Sequence, residues 1–227
     1  MKAALEKFEL YLDRPIAYRA RFLIALLVLP LIASFYAPLW NISMQAPQYP
    51  EGLQVDVYSY QVVGGNEGKD VPEINNLNHY IGMAPIEGEL LKDLDWIPFL
   101  LGLLAILTFR AAAIGNIRTL VDLTVTYGFI CSFLAFRFWL HLYTLGHNLD
   151  PRAPVNVEPF MPAIFGSKQI ANFYITSLPR AGAIGVMVTV AGIFLITFWH
   201  LGGGFLENRR NAAAAKTSQS TDSTPIT

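Results

Sequence analysis

AGAIGVMVTVAGIFLITFWHL, residues 181–201, contains no Asp, Glu, Lys or Arg. A bilayer core about 30 Å thick is crossed by about 20 apolar residues of helix. Lipid offers no partner to a free amide or carbonyl, so a segment of this kind must be helical. Its Gly182, Gly185 and Gly192, with Ala181 and Ala183, give it a face of small residues suited to close helix packing.

The rest of the chain reads outward from that segment. Three further apolar runs, 22–40, 96–114 and 120–143, bring the expected spans to four. The run at 96–114 is the weakest, because Arg110 must extend its side chain to the surface. Pro30, Pro38 and Pro98 are expected to kink or end helices. The 22–40 run begins too late, and is too long, for a cleaved signal peptide, so it reads as a retained anchor. Composition agrees: the 227 residues are 53% hydrophobic and only 15% charged, and mean hydropathy is +0.40. A soluble domain carries about 25% charged residues. A net charge of −1 gives no footing for a nucleic-acid partner. The single Cys131 forms no intrachain disulfide and no Cys-x-x-Cys motif.

Flanking Lys and Arg orient the spans. Lys2, Lys7, Arg14, Arg19 and Arg21 precede the first run, Arg110 and Arg118 lie before and within the turn at 115–119, and Arg209, Arg210 and Lys216 come after 181–201. The loops 41–95 and 144–180 hold only Lys69, Lys92, Arg152, Lys168 and Arg180. The expectation is an all-α protein of the bacterial inner membrane. Its cytoplasmic parts are residues 1–21, the turn 115–119 and a largely disordered tail at 202–227. The two outer loops, 41–95 and 144–180, form a small extracytoplasmic cap. Within the first loop, 53–63 alternates apolar and polar residues and reads as a strand. Residues 73–83 read as a short helix or an ordered loop, and 87–95 as an acidic amphipathic turn on the membrane surface. The second loop has five prolines, which favour an extended course, and enough aromatics to pack against the first.

Most of the histidine and methionine falls on the outer side. His79, His141, His147, Met44, Met83 and Met161 lie in the outer loops or the helix end that feeds one of them. Imidazole and thioether are natural ligands for copper. In Asn78-His79-Tyr80-Ile81-Gly82-Met83, a helical course places His79 and Met83 on one face at i and i+4. His147 follows Gly146, which suits a helix C-cap, and Met44 is a third candidate soft ligand. The bland readings are a hydrogen-bonded His79, a His147 placed at a helix end for electrostatic reasons, and methionines that simply pack. Arg137 and His141, at i and i+4 near the outer end of 120–143, are candidates for a quinol site, set among Phe136, Phe138, Trp139 and Tyr143. Intrinsic haem is not expected, since only His141 is even partly placed within a span. No Gly-x-Ser-x-Gly, P-loop or His-Glu-x-x-His signature is present.

Three stretches, Ala46-Pro-Gln-Tyr-Pro-Glu-Gly-Leu53, Leu77-Asn-His-Tyr-Ile-Gly-Met83 and Gly146-His-Asn-Leu-Asp-Pro151, together resemble an uncharacterised family of bacterial multi-pass membrane proteins. That family is associated with gene neighbourhoods for nitrous oxide reductase and its copper-delivery lipoprotein. The resemblance implies a copper-linked respiratory setting and puts His79, Met83, His147 and Asp150 inside the motifs. The expected role is accessory: holding or passing copper during maturation of a periplasmic copper enzyme. The alternative is a non-catalytic, quinol-interacting subunit of a membrane redox complex. An enzyme ranks last.

Overall fold

The computed structural model describes residues 2–86, 95–170 and 172–222. Among the described residues, three helices are long and apolar enough to cross a membrane: α5 (Trp96–Ile114), α6 (Ile117–His147) and the Ala181–Gly203 part of α7 (Ala181–Asp222). They match three of the four expected runs closely. The fourth expectation fails. The run at 22–40 divides into α2 (Tyr18–Leu26) and α3 (Val28–Ala33), and its last residue already belongs to strand β1 (Trp40–Ala46). Pro30 has no amide to give the carbonyl one turn below it, and its ring crowds that turn. Pro38 then favours the extended backbone that leads into β1.

The all-α expectation is also wrong. β1, β2 (Tyr49–Val57), β3 (Val62–Gly64), β4 (Gly166–Ile170) and β5 (Phe173–Pro179) form one antiparallel sheet in the order β3-β2-β1-β5-β4. The fold is therefore mixed, a helical bundle under a sheet. The alternating stretch 53–63 is not one strand. It covers the end of β2, a turn closed by Tyr58 N–H to the Gln61 carbonyl (2.8 Å), and the start of β3. Strand β1 itself alternates, with Trp40, Ile42, Met44 and Ala46 on one face. It pairs with β5, so the 41–95 and 144–180 loops meet, Trp40 opposite Pro179 and Met44 opposite Ile175. The two loops thus do pack together, as one sheet. Helix α4 (Asp70–Tyr80) covers β2, with Ile74 buried against Leu53 and Val55. The acidic stretch expected to lie on the membrane surface falls largely at 87–94, outside the described residues. Helix α7 runs to Asp222, so 202–222, expected as an unstructured tail, is helical. The alanines at 212–215 are strong helix formers.

The bundle is held by close backbone approach. A Cβ at Gly182 would lie 2.6 Å from the Ala37 carbonyl oxygen, one at Gly185 2.6 Å from that of Pro30, and one at Gly192 2.7 Å from the Leu27 side chain. Hydroxyls satisfy carbonyls around the broken helix. Thr189 donates to the Leu27 carbonyl (3.0 Å), and Ser34 bonds to the Gly182 carbonyl (2.8 Å). Deeper in the bundle, Thr108 meets Tyr127 (2.9 Å) and Thr124 meets Thr197 (2.6 Å). At the end away from the sheet, α1 (Lys2–Leu12) and the residues after it are tied down. The Tyr11 hydroxyl donates to the His200 carbonyl, Arg118 pairs with Asp13 at 2.9 Å, and the Arg21 guanidinium donates to the Ala112 carbonyl at 2.9 Å. The segment from Tyr18 to β1 therefore runs from this end to the sheet end, alongside the three long helices.

Candidate functional site

The sheet end of the molecule brings together two of the motifs. Helix α4 stops at Tyr80 because Gly82 takes a left-handed conformation, φ +77°. Met83 N–H donates to the Asn78 carbonyl (2.8 Å) and Gly82 N–H to that of His79 (3.2 Å), which is a Schellman cap. His79 and Met83 therefore do not share a helical face. His79 is exposed in the last turn, and Met83 lies beyond the cap, half-buried. Gly82 serves a second purpose. A Cβ there would sit 2.7 Å from the Asp150 carbonyl oxygen, so only glycine lets the two segments cross. Asp150 N–H donates to the Gly82 carbonyl (2.8 Å) and Val155 N–H to that of Tyr80 (3.0 Å). These bonds join 77–83 to 144–155, as expected from the aromatic content of the second loop.

His147 ends α6 beside this crossing. Gly146 is buried inside the helix rather than at its C-cap. A Cβ there would overlap the Phe160 carbonyl oxygen, and Phe160 N–H donates to the Gly146 carbonyl (3.0 Å). The His147 ring is exposed and stacks on Tyr143, with centroids 3.9 Å apart at 17°. Its Nδ1 lies 2.9 Å from the Tyr143 carbonyl oxygen. A carbonyl only accepts, so Nδ1 donates in this contact, and the neutral tautomer that makes it has its lone pair on Nε2. That lone pair is available to a metal or an acid. His147, Ile81, Leu149, Asp150, Val155 and Pro159 help line a cleft of about 180 Å³. Asp150 is already partly engaged, one carboxylate oxygen accepting from Arg152 N–H (2.9 Å).

The other candidates lie apart from this cleft. Met44, on β1, packs against the Leu53, Val55 and Ile74 core of the cap. Met161 is half-buried, and its carbonyl accepts from Lys168 Nζ (2.7 Å). Arg137 is exposed and His141 half-buried, about 15 Å and 9 Å below His147 along α6 at 1.5 Å per residue. Among the described residues, no three His, Cys, Asp or Glu side chains are grouped to hold a metal ion. Phe136, Trp139, Tyr143 and His147, read from the sequence as a belt plus a helix end, form a continuous ladder. Successive centroids are 6.1, 5.4 and 3.9 Å apart. The signal was the spacing 136, 139, 143, 147, which keeps one helical face.

Two further polar contacts organise the cap. The buried Asp70 carboxylate accepts Gln54 N–H (2.8 Å) and so fixes α4 on β2. The Tyr49 hydroxyl donates to Glu73 (2.6 Å), and that bond to a carboxylate raises the phenol above its ordinary pKa, with burial adding to it. No family model, curated protein or solved structure matches the chain.

Proposed function

We propose that this chain is an accessory protein of the bacterial inner membrane that passes copper on the outer face, at a site centred on His147. The observation that carries this reading is the state of that imidazole. It is exposed, stacked on Tyr143, engaged at Nδ1 rather than Nε2 by the Tyr143 carbonyl, and shares a cleft lining with Ile81 of the 79–83 segment. Few ligands in an open position suit transfer, because an incoming protein can add its own ligands before the first ones leave. His79, exposed on the adjoining segment, is the second donor. A periplasmic copper protein is the partner.

Sidedness rests on charge. Arg14, Arg19, Arg21, Arg110 and Arg118 lie toward the end opposite the sheet, which supports that end being cytoplasmic and the cap outside. The N-terminal helix and the far end of the α7 span meet at the same end, through Tyr11 and His200, which supports N-in, C-in.

The test is a Cu(I) titration of the purified protein under reducing conditions, against a chromogenic chelator. The wild type is expected to take up copper, His147→Ala to lose it, His79→Ala to weaken it, and Met44→Leu to leave it unchanged. Equal copper uptake by His147→Ala and wild type would overturn the proposal.

A further inference from the structure

The cap has two unlike ends, and strand register says which is which. Val62, Val57, Trp40 and Pro179 stand side by side across four strands, and one residue after Pro179 the chain turns into α7. The β2–β3 turn, Tyr36 before β1, and Phe165 before β4 belong to this same end, since Gly166 pairs with Ser177. At this rim the large apolar side chains are uncovered: Tyr36 is 81% exposed, Phe165 70%, Tyr60 53% and Leu178 42%. The opposite end, at the β1–β2 and β4–β5 turns, exposes Pro47, Gln48, Gln169 and Asn172, and of its large rings Tyr174 is uncovered, 50% exposed.

The height of the rim is set by α6. The Trp40 ring meets Phe138, with centroids 5.3 Å apart. From Ile117 to Phe138 the helix rises about 32 Å at 1.5 Å per residue, close to the roughly 30 Å of a hydrocarbon core. Trp96, 65% exposed at the head of α5, marks the same boundary. The rim therefore stands where hydrocarbon gives way to headgroups.

The geometry points to this rim as a lipid-binding surface: the cap is seated in the interfacial layer of the bilayer through Tyr36, Tyr60 and Phe165. Lipid is the occupant because the rim continues directly from the apolar flanks of the helices. Tyrosine, with an apolar ring and a polar tip, suits that layer. Exposed Arg180, the residue after Pro179, can face the lipid phosphates. The inference rests on the three helices crossing a bilayer and is independent of the copper site.

The test uses the full chain in vesicles of neutral and anionic phospholipid, with Cys131→Ser removing the only native thiol. Single cysteines at Tyr60, Phe165, Gln48 and Lys69 carry an environment-sensitive fluorophore. Spin-labelled lipid chains are expected to quench the probes at 60 and 165 several-fold more than those at 48 and 69, and aqueous iodide to show the reverse order. Equal quenching at all four positions would overturn the inference. Shielding of 60 and 165 from both quenchers would also overturn it, assigning the rim to a protein partner or a second copy. A loss of copper binding with the quenching order intact would leave the inference standing.

Discussion

The bundle and the cap are built from the same residue types used in different ways. In the bundle, glycines work by what they lack. Gly182 and Gly185 let the α7 backbone touch the carbonyls of the 30–37 segment, and hydroxyls of Thr189 and Ser34 serve carbonyls where the helix breaks. Lipid is as apolar as leucine, so close packing and hydrogen bonds must hold helices together there. In the cap, glycine works through its backbone freedom and at chain crossings, as at Gly82, while a strand ladder and a small core of Leu53, Val55 and Ile74 supply cohesion. Each half answers its own solvent, and each should fail separately.

The sharpest break is Gly185→Leu. Its side chain would be driven into the Pro30 carbonyl, and the expected loss is about 3 kcal/mol or more, as for severe overpacking. Unfolding in mixed detergent should show the bundle melting early while the β1–β2 ladder keeps its hydrogen-exchange protection. Loss of both together would erase the contrast. Asp70→Ala should act in the opposite half, costing about 2 kcal/mol by leaving the Gln54 amide unserved. Exchange at 49–57 should quicken while the helices stay protected. Ser34→Ala should cost about 1 kcal/mol or less, since hydroxyl bonds between helices in membranes are modest. The same unfolding measurement reads it.

Tyr49→Phe should have the smallest effect, roughly a few tenths of a kcal/mol for a bond near solvent. Its pH signature is distinctive. Because the folded phenol titrates above its unfolded value, the contribution is full below the ordinary tyrosine range and fades as pH rises through the folded pKa. The stability gap between wild type and Tyr49→Phe should therefore narrow only at strongly alkaline pH. A gap that widens there would show that the Glu73 contact is misread.

Legibility in the sequence divides along the same line. Long apolar runs at 96–114, 120–143 and 181–201 announce helices because in lipid a single span has only one backbone solution. The 22–40 run has the same composition, yet Pro30 and Pro38 outweigh it, and its last residue is claimed by the Trp40 to Ala46 alternation. That alternation was visible, but hydropathy absorbed its start, and Pro47 and Pro50 disguised the strand after it. Strand β5 was hidden for a different reason. Its partner is β1, far away in sequence, so nothing local marks its register. Near the site, Gly146 reads from the sequence as a helix cap and Gly82 as one residue of a motif, but the reasons both must be glycine lie in segments that cross them, at Phe160 and Asp150, which no local pattern reveals. The Tyr143–His147 stack, by contrast, is a direct result of helical spacing.

The strand order carries a consequence in time. β1 is central, with β2 on one side and β5 on the other, and β5 is made only after α5 and α6. At synthesis rates of about 5–20 residues per second, β1 waits on the order of ten seconds with one edge open. During that wait it is a template for any passing strand. The order of insertion matters as much as the final contacts, and a pause in translation before β5 would leave the nascent chain at its most vulnerable.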